Sequence, residues 1–330
     1  MLILKTNISN VSSIEIAIKS LDDLLRCINL SSLLELSGWP KPGNVHRTKN
    51  FKDTSFEHFL AGISAIQPNL RVLCEKVYTA IESDKQSFSN IELGVFFKEA
   101  VIEMMKWQTG GNVILGHILI LAPLLSAASI CIKLKKRRFI DFESILNKII
   151  EDTTVNDTLH LYEAIKHSIP GGLGQIDKYD VNDPSAYDEI IRDEINLKEI
   201  FKKSQDYDLI SREYATGFNI VLKEGLPYFL DSFKEQRNIN KTIVNTYLKL
   251  LANHLDTLII RKKGKPEAVK VSEMASKIVS QGGISTKKGL KLTIKFDKNL
   301  QKQNGKLNPG TTADLLTGVI FCALLFGLKF

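Results

Sequence analysis

The sequence predicts an all-α fold, a single large multi-helix domain over residues 1–330 with a buried central apolar helix. Three observations carry that expectation. Apolar residues recur at spacings of three and four through most of the chain, the period of a helix with one buried face. One stretch alone alternates as a strand would, and no repeat or long linker divides the 330 residues. Hydrophobic residues make up 44 % and charged residues 25 %, ordinary globular proportions that exclude disorder, collagen-like fibres and a polytopic membrane protein.

In chain order, helical periodicity covers 13–37, then a break at 38–47 rich in Gly and Pro. It resumes over 55–83 and 90–107, breaks at Thr109-Gly110-Gly111-Asn112, and runs on through 112–134, 141–151 and 156–168. Past the Gly-rich stretch 170–174 come 187–202, 207–235, 240–261 and 267–281. In 240–261, Val244, Tyr247, Leu248, Leu251, Leu255, Leu258 and Ile259 form one stripe. Leu290, Leu292, Ile294 and Phe296 alternate and predict a short strand. After the turn at 308–314, the last helix is expected over 311–328. Breaks this rich in glycine and proline suit binding sites, because glycine lets backbone N–H groups approach a ligand.

The run 113–132 is 20 apolar residues long and is followed by Lys133, Lys135, Lys136, Arg137 and Arg138. Length and basic flank fit a membrane span. His117 and Pro123 lie inside the run, however, and the next apolar stretch, 315–328, is short for crossing a bilayer. A central helix of a large helical core is therefore the expectation, with no membrane partner.

Lys and Arg number 44 against 37 Asp and Glu, a net charge of +7 and a pI near 9.0, which favours anionic partners. The basic residues are dispersed and no aromatic-plus-basic module accompanies them, so nucleic acid is not expected. Cys27, Cys74, Cys131 and Cys322 are widely spaced among apolar residues. They form no CxxC pair, and read as buried free thiols in a reducing compartment. The N-terminus turns polar at Thr6 and Asn7, so no secretory leader is read there and a cytoplasmic protein is expected. The P-loop, Rossmann, HExxH and GxSxG signatures are absent; QGGISTKKG (281–289) has the glycines of a phosphate loop at the wrong spacing.

The first break presents Lys41, Asn44, His46 and Arg47 from a proline-stiffened loop, an array of donors suited to a polyphosphate or equally a solvated surface turn. Asp53 or Thr54 with Glu57 can cap the next helix. Asn112, after two glycines, opens the long apolar helix either as an anion site or as a plain N-cap. Glu213 lies beside the small residues Ala215, Thr216 and Gly217. Asp256 stands among apolar neighbours, ahead of Arg261, Lys262 and Lys263, and needs a partner, a proton or a metal if buried. The plain alternatives are an Asp256–Arg261 ion pair, and a capping box between Thr311 and Asp314.

In order along the chain, PKPGNVHR (40–47), GGNVILG (110–116), PGGLG (170–174), DLISREYATGF (208–218), LDTLIIRKKG (255–264) and NPGTTADL (308–315) resemble the triphosphoribosyl-dephospho-coenzyme A synthase family, also called ATP:dephospho-CoA triphosphoribosyltransferase. The resemblance implies an all-α transferase in which a ribose hydroxyl of dephospho-CoA attacks C1′ of the ATP ribose. Adenine leaves and the triphosphate stays on the new sugar. Such chemistry calls for a carboxylate near an oxocarbenium-like centre, a general base, and Mg²⁺ with cationic donors for the triphosphate.

On that resemblance, Lys41, Arg47, Arg261 and Lys262 are expected to hold phosphates, with Asn44, Asn112 and Asn308 orienting ligand groups. Glu213 and Asp256, with His46, are the expected catalytic groups, and Glu213, Asp256 and Asp314 the expected Mg²⁺ ligands. Glu213→Gln is expected to abolish turnover in a folded protein. The partners implied are ATP and dephospho-CoA or a similar acceptor, and a homo-oligomer is compatible with the sequence. His46 and Val113 stand where citrate-type members carry other residues, which marks a divergent branch. Two alternatives accompany the reading: the same ATP chemistry on another cofactor precursor, and a non-catalytic ATP-binding protein.

Overall fold

A computed structural model describes residues 11–168 and 178–330, so the PGGLG stretch at 170–174 lies outside the described residues. The helices are α1 (Leu21–Ser37), α2 (Phe56–Ala65), α3 (Gln67–Ala80), α4 (Leu93–Lys106), α5 (Leu115–Lys133), α6 (Phe139–Glu151), α7 (Val155–Ser168) and α8 (Ala186–Arg192). They continue as α9 (Leu197–Ser204), α10 (Leu209–Thr216), α11 (Leu226–Gln236), α12 (Ile239–Asn253), α13 (Thr257–Lys263), α14 (Lys265–Ser280), α15 (Lys287–Gln301) and α16 (Gly310–Leu325). Among the described residues there is no strand, only two isolated bridges. One apolar cluster runs from Ile14 to Leu328 and joins the helices into one domain.

The apolar run becomes α5, and its position settles what the run is for. Every residue from His117 to Ile132 is buried, enclosed by α1, α3, α4, α6 and α16. It is long and apolar enough to cross a membrane, yet 89 % of that window is buried within the protein. At about 1.5–3 kcal/mol per buried Leu or Ile, this helix contributes a large part of the core. Pro123 has no N–H, which leaves the Leu119 carbonyl one turn earlier without its helical donor. Tyr214 of α10 supplies the missing bond, its hydroxyl donating to Leu119 O at 2.7 Å. The second apolar helix, α16, packs on α1, α5, α11 and α12. Between Thr311 and Leu325 only Asp314 is not buried.

Three long periodic segments prove to be broken. The 55–83 segment divides at Ile66, with Pro68 opening α3. Its first half is capped by Ser55, whose N–H donates to His58 Nδ1 at 3.0 Å, and not by Asp53 or Thr54. The 207–235 segment divides at Gly217, the left-handed cap of α10, followed by a π-helical turn at Ile220–Gly225. The 240–261 segment divides ahead of Asp256, the N-cap of α13. Periodicity counts apolar spacing and does not register the cap that ends one helix and starts another.

The expected strand at 290–296 is wrong, since those residues lie in α15. The buried positions there are Gly289, Thr293, Phe296, Asp297, Leu300 and Gln301, a helical spacing. The pattern was misleading because half of this face is polar: Asp297 and Gln301 bond to the loop before α2, and Thr293 turns its hydroxyl back to Gly289 O.

Candidate active site

The site is built where the first turns of α5 and α16 meet the end of α1 and the loop that follows it. That loop is strapped down from two sides. Asn240 of α12 accepts from Trp39 N at 2.9 Å and donates to Trp39 O at 2.6 Å, and the Tyr247 hydroxyl donates to Pro42 O at 2.9 Å. From α15, Asp297 accepts from Gly43 N at 3.0 Å, and Gln301 donates to Asn44 O at 2.7 Å. Gly43 is required: its φ is +75°, and a Cβ there would lie 2.9 Å from Leu300 Cδ1 and from Leu307 O.

Held this way, the loop turns Lys41 inward. Its side chain is fully buried, and Nζ donates to the Glu35 carboxylate and to Glu35 O at 2.8 Å. Burial raises the Glu35 pKa, but Lys41 and then His117 beside it outweigh that and hold the carboxyl below its ordinary value. Burial pulls the Lys41 ammonium down, and Glu35 only partly restores it. The expectation of Lys41 as a free phosphate donor therefore gives way to a buried ion pair.

His117, in the first turn of α5, continues the chain. Its Nε2 lies 2.9 Å from Thr317 Oγ1, 3.5 Å from Glu35 Oε2 and 3.7 Å from Asp314 Oδ1. Its Nδ1 is buried with no partner. Asp314, 20 % exposed at its side chain, lies over Gly116, where a Cβ would come within 2.0 Å of Oδ2 and 2.5 Å of Oδ1. Burial raises the Asp314 carboxyl well above its ordinary value; the negative charges of Glu35, Asp256 and Asp208 add to the rise, and Arg261 opposes it. Thr311 does not use Asp314 as a capping partner: the Thr311 hydroxyl accepts from Thr257 Oγ1 at 3.2 Å.

The other carboxylates are engaged. Asp256 accepts from Ile259 N at 3.1 Å, and from Thr312 N and Thr312 Oγ1 at 2.8 Å each. It pins the start of α13 to the start of α16, and burial raises its pKa against those bonds. Asp208 caps α10 through Ser211 N and Oγ at 2.8 and 2.7 Å. It stands 3.9 Å from Arg261 Nη1, so Arg261 faces Asp208 and not Asp256. Glu213 is buried between the backbone N–H groups of Ile220 and Val221 at 2.9 and 2.8 Å, holding the π-helical turn. Burial pushes its carboxyl up to about 8, against the pull of those donors. Both Glu213 and Asp256 thus spend their two oxygens inside the fold. Among the described residues no three His, Cys, Asp or Glu side chains gather as a metal cage.

The remaining expected residues divide between fold and rim. His46 is buried, with Nε2 3.2 Å from Asp297 and Nδ1 3.2 Å from Thr48 Oγ1, so both nitrogens fasten the loop. Asn44 is buried and donates to Pro309 O at 3.4 Å. Asn112 accepts from Leu115 N at 3.1 Å, bracing the turn that leads into α5, although the N-cap itself is Ile114 and not Asn112. Arg47 is exposed and reaches Asn240 Oδ1 at 3.2 Å. Lys262 donates to Gly305 O at 3.1 Å, and burial beside Arg261 lowers its pKa. Asn308 keeps a buried, unpartnered Oδ1.

Glu35, Gly116, His117 and Thr317 were not among the expected site residues. A histidine inside an apolar run was the one visible signal; Glu35 and Thr317 carry none, because only packing brings α1 and α16 to α5.

An all-α protein that sets one partly exposed, high-pKa carboxylate among buried ion pairs, at the head of two long helices, has the build of an enzyme. This chain belongs to the CitG family, ATP:dephospho-CoA triphosphoribosyl transferase, whose model matches residues 21–329. It is 24 % identical over 318 residues to the protein CitXG of Leuconostoc mesenteroides subsp. cremoris, covering 89 % of this chain and 57 % of that one. It is 31 % identical over 104 residues to a probable 2-(5''-triphosphoribosyl)-3'-dephosphocoenzyme-A synthase of Salmonella gallinarum, covering 32 % of this chain and 34 % of that one. The chain thus matches little more than half of the first relative and a third of the second. A crystal structure described as a candidate triphosphoribosyl-dephospho-CoA synthase of Archaeoglobus fulgidus superposes with a TM-score of 0.60 at 27 % identity, over 82 % of this chain and all of that one.

Proposed function

We propose that this protein transfers the triphosphoribosyl group of ATP to a ribose hydroxyl of dephospho-CoA, releasing adenine. The observation that carries the reading is Asp314. Of the carboxylates gathered here, it alone has no donor within hydrogen-bond distance among the described residues, and between Thr311 and Leu325 it is the one residue that is not buried. A carboxyl with a raised pKa is a suitable base for a hydroxyl. The acceptor oxygen bonds to C1′ as the C1′–N9 bond breaks. The hydroxyl proton passes to Asp314, adenine takes one proton from water, and Asp314 returns its proton to water before the next turnover, so the sum balances.

The positive ends of α5 and α16 suit the triphosphate, with Arg261, Lys262 and Arg47 as the cations to hold it. ATP enters as its magnesium complex, the metal riding on the phosphates. Glu213, Asp256 and His46 support the site from within the fold. The four free cysteines, three of them buried, suit the cytoplasm.

The test is incubation with Mg·ATP and dephospho-CoA, with adenine and the acceptor mass followed by liquid chromatography and mass spectrometry. Equal amounts of adenine and triphosphoribosylated dephospho-CoA are expected. Adenine release that needs a different hydroxyl acceptor would replace dephospho-CoA. Binding of ATP without adenine release under any acceptor would leave a nucleotide-binding protein and overturn the transfer.

A further inference from the structure

We infer that His117 is a positioning residue for Asp314: its Nε2–H holds Oδ1 of that carboxylate, so that Oδ2, over Gly116, faces the hydroxyl to be deprotonated. The inference rests on the transfer reading above and assigns a role to a side chain that reading does not use.

The tautomer follows from Thr317. Its hydroxyl lies 3.2 Å from Ala313 O within α16 and can donate there, which leaves it an acceptor toward His117, and the 2.9 Å contact then places a proton on Nε2. That one N–H is surrounded by three acceptors, Thr317 Oγ1, Glu35 Oε2 at 3.5 Å and Asp314 Oδ1 at 3.7 Å. A histidine that served only the core would spend both nitrogens. Here Nδ1 is buried without a partner, which costs about 1–3 kcal/mol, while Nε2 is shared between a spent acid and a free one.

Glu35 is fastened by Lys41 and cannot follow the ring. Asp314 has no other donor among the described residues, so a small rotation of the imidazole, or of the carboxylate, closes the 3.7 Å gap. Contacts of this kind are commonly loose before the substrate arrives and tighten in the complex. Neighbouring positions face the two ends: Gly116 leaves room for Oδ2, and His117, the next residue, lies 3.7 Å from Oδ1. In the transfer step the acceptor O–C1′ bond forms, the C1′–N9 bond breaks, Asp314 Oδ2 receives the hydroxyl proton, and adenine takes one from water, to which Asp314 later returns its own. His117 keeps its own proton throughout.

The test compares two amides. Gln at 117 places an N–H near the Nε2 position, whereas Asn reaches only the Nδ1 position; both are polar and smaller than His. The expectation for H117N is a fall in kcat of at least about 50-fold with KM for ATP within about threefold, and for H117Q a kcat within about tenfold of wild type. Equal kcat in the two variants overturns the role, as does a loss confined to KM. Adenine release by the wild type is scored first: its absence refutes the transfer reading, whereas an active wild type with matching variants refutes only His117. The carboxyl ¹³C shift of labelled Asp314 reads the contact without turnover. It is expected to move in H117N and to stay in H117Q, and identical spectra overturn the contact even in an inactive protein.

Discussion

Gly116→Ala perturbs the site by one methyl group. Its Cβ would stand 2.0 Å from Asp314 Oδ2 and 2.1 Å from Cγ, where real contacts essentially never fall below 3.0 Å. The carboxylate must therefore retreat by at least about 1 Å, and it can do so, because it is the partly exposed end of a side chain. A misplacement of that size costs about 10²-fold in rate, or about 2.7 kcal/mol of transition-state stabilisation. Stability should change little: Ala is favoured over Gly in a helix by up to about 1 kcal/mol, which offsets part of the strain. The assay is kcat from adenine release, beside a thermal melt. A hundredfold lower kcat with Tm within about 4 °C is expected. Gly318→Ala is the companion, its Cβ meeting Ile120 Cγ2 at 2.7 Å in the apolar core; it should lose stability and keep its activity per folded molecule. Full turnover in G116A would refute the placement of Asp314 at the reaction. Unfolding of G116A would refute it equally, since Gly116 would then serve packing.

Other expectations follow from how the remaining charges are held. Glu213, pushed up to about 8, binds its proton more tightly folded than unfolded. Its contribution is therefore complete below about pH 4.3 and is lost as pH rises toward 8, by up to about 1.4 kcal/mol per unit. Urea denaturation at pH 5 and pH 8.5 measures this, and Glu213→Gln should flatten the slope; a wild type more stable at pH 8.5 would contradict it. Asp256→Ala leaves the N–H groups of Ile259 and Thr312 and the Thr312 hydroxyl without their acceptor. A loss of about 3 kcal/mol in chemical denaturation is expected, and an unchanged midpoint would show that Asp256 pins nothing. Lys41→Met alone strands the Glu35 carboxylate and should cost about 3–5 kcal/mol. Adding Glu35→Leu should restore most of that loss, which a double-mutant cycle by denaturation would show.

The site was legible where local pattern carries meaning. A proline-stiffened loop, a glycine pair before a helix and a turn before the last helix were found as segments; the glycine that lies against Asp314 is Gly116, and Gly110 of the pair packs by His58 instead. The roles within them were less legible. Lys41 and His46 read as donors to a ligand because a sequence shows no direction; Glu35 and Asp297, 6 and 251 residues away, turn both into the fold. Glu213 and Asp256 read as reactive acids because an acid among apolar residues needs partners, and those partners are mainly backbone N–H groups, which no residue letter displays. Asp314 read as a cap from Thr311 three residues before it, and as a Mg²⁺ ligand only on the family resemblance.

The sequence by itself determined the all-helical class, since a spacing of three and four permits one kind of buried face. It determined too that the run 113–132 is buried in something apolar, and through six short segments the family. Tertiary structure decided that α1, α3, α4, α6 and α16, and not lipid, enclose that run. It decided which acid among Glu35, Asp208, Asp256, Glu213 and Asp314 stays free. That choice depends on which donors arrive from elements tens to hundreds of residues away, and burial makes each such partner decisive by raising the cost of going without one.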